Sequence, residues 1–191
     1  SRLNIPISID TRKASVARAA VRTGAALVND VSMIEDPQMI SVISDTDVPI
    51  VISHIRKKGH QGEVVNEVID DLRGAVSDLR KARVIKSKII VDPGIGFAKN
   101  ADESIALLRN IHRLRTELEL PVMIGTSRKS FIGSVTDESV KDRRFGTAAT
   151  VAWSVTCEVD IVRVHDVSEM VKVVKMSDIL ARHFKNGASR A

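Results

Sequence analysis

The feature that most constrains this chain is a strict alternation between short runs rich in Val and Ile and longer segments with helical spacing. Six such runs recur: Pro6–Thr11, Ala26–Val31, Val48–His54, Lys88–Asp92, Pro121–Gly125 and Ile161–His165. Each is too short and too β-branched to stand as an amphipathic helix, so each is predicted to be a strand. Between them apolar residues return every three or four positions. One set is Val16, Ala19, Ala20 and Thr23, closed by Gly24 as a C-cap, and another is Val64, Val68, Leu72, Val76 and Leu79. Ile105, Leu108, Ile111 and Leu114 repeat in the same way, as do Met170, Val173, Val174 and Ile179. This spacing predicts helices with one buried face. Asp36-Pro37 has the form of an N-cap followed by proline at the first helical position. Six βα units thus fill residues 1–191 as one domain, with no linker, repeat array or low-complexity stretch.

Parallel strands joined by helices leave two architectures, an open doubly wound sheet and a closed (β/α)₈ barrel. An open sheet gathers its site at one topological switch point, whereas a barrel brings every strand end to one mouth. Here all six strand ends carry polar residues: Asp10-Thr11, Asn29-Asp30, His54 with Arg56, Asp92, Ser127-Arg128-Lys129, and Arg163 with His165. That pattern favours the barrel. A barrel needs eight units, and Ser1 lies only five residues before the first strand, so the chain is expected to be the C-terminal three quarters of a single barrel domain, truncated at the N-terminus to six of eight βα units.

Composition narrows the function classes. The 191 residues carry 29 Lys+Arg against 24 Asp+Glu, a formal charge of +5. That balance suits a small anionic ligand at least as well as a polyanion. Aromatics make up 3% and Tyr is absent, so platforms for base stacking are not expected, and no nucleic acid is predicted as a partner. The lone Cys157 excludes an internal disulfide framework and a cysteine zinc cluster. No run approaches the roughly 20 apolar residues that span a bilayer, so no membrane is expected.

Three motifs carry chemistry. Asp92-Pro93-Gly94-Ile95-Gly96-Phe97 delivers a carboxylate from a strand end, with glycines that let backbone approach a ligand. Its plainer reading is an ordinary βα turn with an exposed Asp. Gly125-Thr126-Ser127-Arg128-Lys129-Ser130-Phe131 places two cations and several hydroxyls at another strand end, as an oxyanion or a polar heterocycle needs, or as a solvated loop also has. Arg163 and His165 stand two residues apart in a predicted strand and so share a face, making a candidate anion site. Asp10 and Asn29 end neighbouring strands and serve equally as ligand contacts or helix caps. His54-Ile55-Arg56 has the spacing of the Arg163 pair, and Lys57-Lys58-Gly59-His60 after it reads as a mobile basic loop.

In this order, Ser8-Ile9-Asp10-Thr11, Val28-Asn29-Asp30, the Asp92–Phe97 turn, the Gly125–Phe131 loop and Arg163-Val164-His165-Asp166 resemble the dihydropteroate synthase family, from about Pro6 to about Ile179. The resemblance implies a (β/α)₈ barrel that condenses p-aminobenzoate with 6-hydroxymethyl-7,8-dihydropterin diphosphate, giving dihydropteroate and pyrophosphate in folate biosynthesis. It implies that Asp10, Asn29, Asp92, Lys129 and Arg163 hold the pterin and that Arg163 and His165 bind the diphosphate. Phe97 and Ser130 then lie near the p-aminobenzoate site, where sulfonamides compete, and Lys129, Arg163 and His165 are the catalytic residues. It further implies Mg²⁺, whose protein ligand in the family precedes the position of Ser1, leaving no metal ligand in this chain. A homodimer is implied, with cytoplasmic placement, or mitochondrial in a eukaryote, and in some members fusion behind a pterin pyrophosphokinase. Trp153 and Val155 read as core, with an interface between copies as their other use. The family's Gly pair after Val31 and its Gly and Pro after Arg56 are replaced by Ser32-Met33 and Lys57-Lys58. Two other readings stay open: a non-catalytic pterin-binding paralogue and a pterin-dependent methyltransferase domain.

Overall fold

The computed structural model describes residues 4–57 and 59–187, with side chains as far as residue 181. Lys58, part of the basic loop expected from the sequence, lies outside the described residues. Among the described residues six strands form: β1 (Ser8–Asp10), β2 (Leu27–Asp30), β3 (Ile50–Ser53), β4 (Ile89–Asp92), β5 (Met123–Ile124) and β6 (Ile161–Val162). Helices connect them: α1 (Ala14–Arg22), α2 (Gln38–Thr46), α3 (Val64–Lys81), α4 (Ala101–Arg109), α5 (Ile111–Leu118), α6 (Ser130–Thr136) and α7 (Arg144–Thr156), and α8 (Val167–Gly187) follows β6.

All neighbouring strands run parallel, β1 to β4 in one sheet and β5 with β6 in a second, and a Val91–Val122 bridge joins the two. The strands therefore lie side by side in sequence order. A doubly wound sheet reverses its order at a switch point, and this one does not. The sheet also curls. Six strands laid flat would separate β1 from β6 by roughly 24 Å at about 4.8 Å per step. Instead Arg163, just past β6, reaches Asp10 at the end of β1 with Nη2–Oδ2 2.8 Å. This is barrel geometry, with six βα units present.

The core lies between strands and helices. Val28, Ile50, Ile52, Ile89 and Val91 are fully buried and pack with Leu72, Leu79, Leu107, Ile111 and Leu114. β3 is buried along its whole length, as expected of a strand covered on both faces.

Three helices differ from the sequence expectation. In α1, which packs beside α2, the buried residues are Ala14 and Ala17, while Val16 is exposed, so the helix turns its smallest side chains inward. The Ile105–Leu114 repeat is two helices, broken where Asn110 serves as C-cap of α4 and N-cap of α5; its side chain donates to the Ala106 carbonyl at 2.8 Å. In α8 Met170 is buried but Ile179 is exposed. α2 starts at Gln38 with Pro37 in the cap position, one residue later than expected, and Asp36 does double duty before it: Oδ1 accepts the Gln38 N–H at 3.0 Å, and Oδ2 accepts the Ala14 N–H of α1 at 2.8 Å.

Candidate active site

Four strands end in polar residues at the same edge. Asp10 closes β1, Asn29 precedes Asp30 at the end of β2, Ser53 closes β3 and Asp92 closes β4. The register aligns them, pairing Asp10 with Asn29 and Ser53 with Asp92. Asn29 donates through Nδ2 to Asp10 Oδ2 at 3.2 Å, while its own Oδ1 is buried without a hydrogen-bond partner. An amide oxygen left so in a polar pocket is an acceptor awaiting a donor.

Asp92 is buried, and burial pushes its carboxyl above the ordinary carboxylate range, against the pull of the Gly94 N–H and of Lys129. Oδ1 accepts that N–H at 2.8 Å, and Oδ2 lies 3.4 Å from the Ser53 hydroxyl. Gly94 has φ +66, and a Cβ there would sit 1.9 Å from the His54 carbonyl oxygen, so only glycine permits this turn. Gly96, at φ +73, similarly makes room for the Lys129 side chain, whose Cδ would be 3.0 Å from an added Cβ.

Lys129 crosses from the loop after β5 to the Asp92 turn. Its ammonium donates to the Ile95 carbonyl and sits 4.2 Å from the centroid of the Phe97 ring. Burial lowers its pKa and Arg163 adds to this, with Asp92 opposing. The preceding Arg128 takes no part in the pocket. Its backbone is left-handed at φ +58, held by the Thr147 hydroxyl on its N–H at 3.0 Å and by Arg143 on its carbonyl at 3.1 Å. Its guanidinium forks onto Asp166 at 2.6 and 3.2 Å, which holds the Asp166 carboxyl below its usual range. A strained residue fixed at three points turns the chain so that Lys129 faces inward.

Gly125, Ser127, Lys129, Arg163, Val164 and His165 line a cavity of about 150 Å³. β6 ends at Val162, so Arg163 and His165 are placed by the loop beyond the strand and not by strand alternation. His165 is anchored on Ser127, whose Oγ accepts its N–H at 3.2 Å and lies 2.8 Å from Nδ1.

The structure thus gathers Asp10, Asn29, Asp92, Lys129, Arg163, His165 and Phe97 around one mouth. Ser130 lies exposed at the first turn of α6. His54 and Arg56 do not join them. His54 is fully buried with Nε2 3.0 Å from Asp71, and Arg56 is tied to Asp71 and Glu67 on α3. In the loop that follows, Lys57 pairs with Glu35, and the His60 side chain is buried against Glu67 and stacked on His54 at 5.5 Å. Its described residues are therefore anchored by ion pairs that residue types alone do not reveal. Ser53 escaped the sequence reading; Ser127 and Arg128 were singled out in the loop after β5, but not their partners, His165 for Ser127 and Asp166 for Arg128, which spacing does not show.

The comparisons with known proteins agree with this geometry. The model of the pterin binding enzyme family matches residues 1–165. Dihydropteroate synthase of Bacillus subtilis is 41% identical over 179 residues, covering 93% of this chain and 62% of its own length. Dihydropteroate synthase of Clostridium difficile, solved with pteroic acid, superposes with a TM-score of 0.89 at 39% identity, covering 93% of this chain and 68% of its own. That of Xanthomonas albilineans, solved with 7,8-dihydropteroate, gives 0.89 at 33% identity, with coverages of 94% and 66%. The chain accordingly spans about two thirds of these relatives. It belongs to the pterin binding enzyme family.

Proposed function

We propose that this chain forms the pterin and diphosphate side of a dihydropteroate synthase site, acting on 6-hydroxymethyl-7,8-dihydropterin diphosphate and p-aminobenzoate. The observation that carries the reading is the Asp92–Asn29–Asp10–Lys129 constellation: a buried carboxylate, an unpartnered amide oxygen and a desolvated ammonium at one strand-end mouth. A pterin ring offers adjacent N–H donors and a carbonyl acceptor on one edge. Asp92 accepts two parallel donors, Asn29 Oδ1 accepts a third, and Lys129 donates to the carbonyl side. Arg163 exchanges Asp10 for the substrate and, with His165, takes the diphosphate. Phe97 and Ser130 flank the p-aminobenzoate position.

In the reaction the bond between the pterin methylene and the diphosphate oxygen breaks, and pyrophosphate departs with the electron pair. Arg163 and His165 stabilise the charge that gathers on it. The arylamine nitrogen then forms the new C–N bond and releases a proton. Its own lone pair is nucleophilic, so no strong base is required of the chain. Mg²⁺, implied by the resemblance, would offset the negative charge on the departing diphosphate. Among the described residues no three His, Cys, Asp or Glu side chains converge, and no step is routed through the ion.

A homodimer completes the proposal. α4, α6 and α7 leave an apolar groove of about 450 Å³, lined by Leu108, Phe131, Val135 and Trp153, with Trp153 about half exposed and its Nε1 donating to the Leu108 carbonyl at 2.8 Å. Trp153 is thus not a core residue as first expected, and an interface between copies would cover it. Among the described residues no helix is long and apolar enough to cross a membrane, and the cytoplasm is the setting proposed.

The test is dihydropteroate formation from both substrates with Mg²⁺. This chain and a version carrying whatever native sequence precedes Ser1 are assayed side by side, with calorimetric titration of pyrophosphate and pteroic acid. Turnover in either supports the reading. Pteroic acid binding without turnover or pyrophosphate binding in both would favour the non-catalytic paralogue or the methyltransferase domain.

A further inference from the structure

Lys99, one residue before the Asn100 cap of α4, buries its ammonium among acceptors outside the substrate-facing residues. Its Nζ lies 3.0 Å from His54 Nδ1, 3.2 Å from the Gly94 carbonyl, 3.2 Å from the Phe97 carbonyl and 3.5 Å from the His54 carbonyl. An ammonium only donates, so His54 Nδ1 is an acceptor and the ring proton sits on Nε2, directed at Asp71. Asp71 is held in turn by Arg56 at 3.0 Å through both Nε and Nη2. A chain of polar contacts therefore runs from α3, through His54 just past β3, into the turn after β4.

Both loop carbonyls that Lys99 holds belong to the turn that carries the proposed site. Gly94 donates its N–H to Asp92, the Ile95 carbonyl receives Lys129, and Phe97 offers its ring to the same ammonium. Lys99 touches none of the cavity-lining groups. We propose that Lys99 is a positioning residue: it clamps the Gly94–Phe97 turn onto His54 and so fixes Asp92 and the Lys129 seat for the pterin. The inference rests on the pterin reading of the site.

The clamp depends on a charged Lys99, which burial lowers to about 8, with Lys129 adding to this and Asp92, Glu103 and Asp71 opposing. His54, lowered to about 4 by burial, stays neutral across that range. Its grip should therefore weaken as pH rises through about 8.

Amide hydrogen exchange of the Gly94–Phe97 segment reads the clamp without any ligand. In Lys99→Met it should exchange about tenfold faster than in the wild type, while β3 and α3 segments stay within about twofold. Should the variant fail to fold, the wild type answers alone: after correction for intrinsic rates, protection of this segment should fall between pH 7 and 9. Unchanged protection in either experiment overturns the clamp, whatever the ligand. Pteroic acid titration then separates the two readings. A wild type that binds and a Lys99→Met that binds equally, despite a loosened turn, overturns the positioning role alone. A wild type that does not bind overturns the pterin reading and with it the positioning role, while exchange still decides whether the clamp exists. Lower affinity in Lys99→Met, with a pH step near 8 that it lacks, is the expected result.

Discussion

Asp10 and Arg163, 153 positions apart in sequence, close the mouth of the barrel with a 2.8 Å ion pair in which both side chains remain about half exposed. A pair so open to solvent contributes only about 0–1 kcal/mol. It is better understood as a resting position for a guanidinium whose partner is meant to change. Arg163→Ala should shift the melting temperature little, yet weaken pyrophosphate binding by roughly 1–3 kcal/mol, the loss of a charged hydrogen bond. Calorimetry beside thermal denaturation checks both halves, and a large drop in stability with intact binding would contradict them.

Lys129 bridges the Ile95 carbonyl and the Phe97 ring. Lys129→Ala should weaken binding of the pterin diphosphate by about 1–3 kcal/mol. Unchanged affinity in titration calorimetry would remove Lys129 from the pterin site.

Asp92 carries a carboxyl that burial pushes above its ordinary value. A raised folded value stabilises the protein below the unfolded pKa, and this contribution is lost as pH rises through the folded one. Once ionised, the buried group therefore opposes folding. Asp92→Asn should melt at a higher temperature than the wild type at pH 7 and bind pteroic acid about 100-fold more weakly, since an amide cannot accept two parallel donors. A variant that melts lower and binds normally would reverse the assignment.

His54 titrates in the opposite sense. Burial, with Lys99 adding to it, lowers its pKa from 6.5 to about 4, so its contribution is full above the unfolded value and disappears as pH falls toward 4. Denaturant unfolding at pH 7, 5.5 and 4 should show a loss of up to roughly 3 kcal/mol across that window. The slope should flatten in His54→Met.

Val135 is exposed on α6 and lines the apolar groove. Val135→Asp should convert a dimer to monomer in sedimentation velocity without altering the melting temperature by more than a few degrees. Sedimentation of the wild type as a monomer would remove the dimer from the proposal.

Much of this molecule can be read along the chain. The six strands appear where Val and Ile cluster, and the strand-end residues Asp10, Asn29, Asp92, Lys129, Arg163 and His165 meet at one mouth because a parallel barrel leaves them no other place. What resisted reading is informative in physical terms. Spacing marked Val16 for the core of α1, but the face turned inward carries Ala14 and Ala17, small residues that a search for large apolar side chains passes over. Periodicity carried through Asn110, because two helices in line keep one apolar face. His54 and Arg56 imitate the spacing of a binding pair, and only the placement of Asp71 and Glu67 on α3 shows that they hold the scaffold. Lys99 carries no signal in the sequence, since three of its four acceptors are backbone carbonyls, which no residue pattern encodes.

The carboxylate of Asp36 takes one N–H from the start of α1 and another from the start of α2. Neither helix can release its first turn without disturbing the group that restrains the other. The first two βα units therefore share a single fraying equilibrium, and an opening that begins at either helix spreads to both before it reaches the mouth.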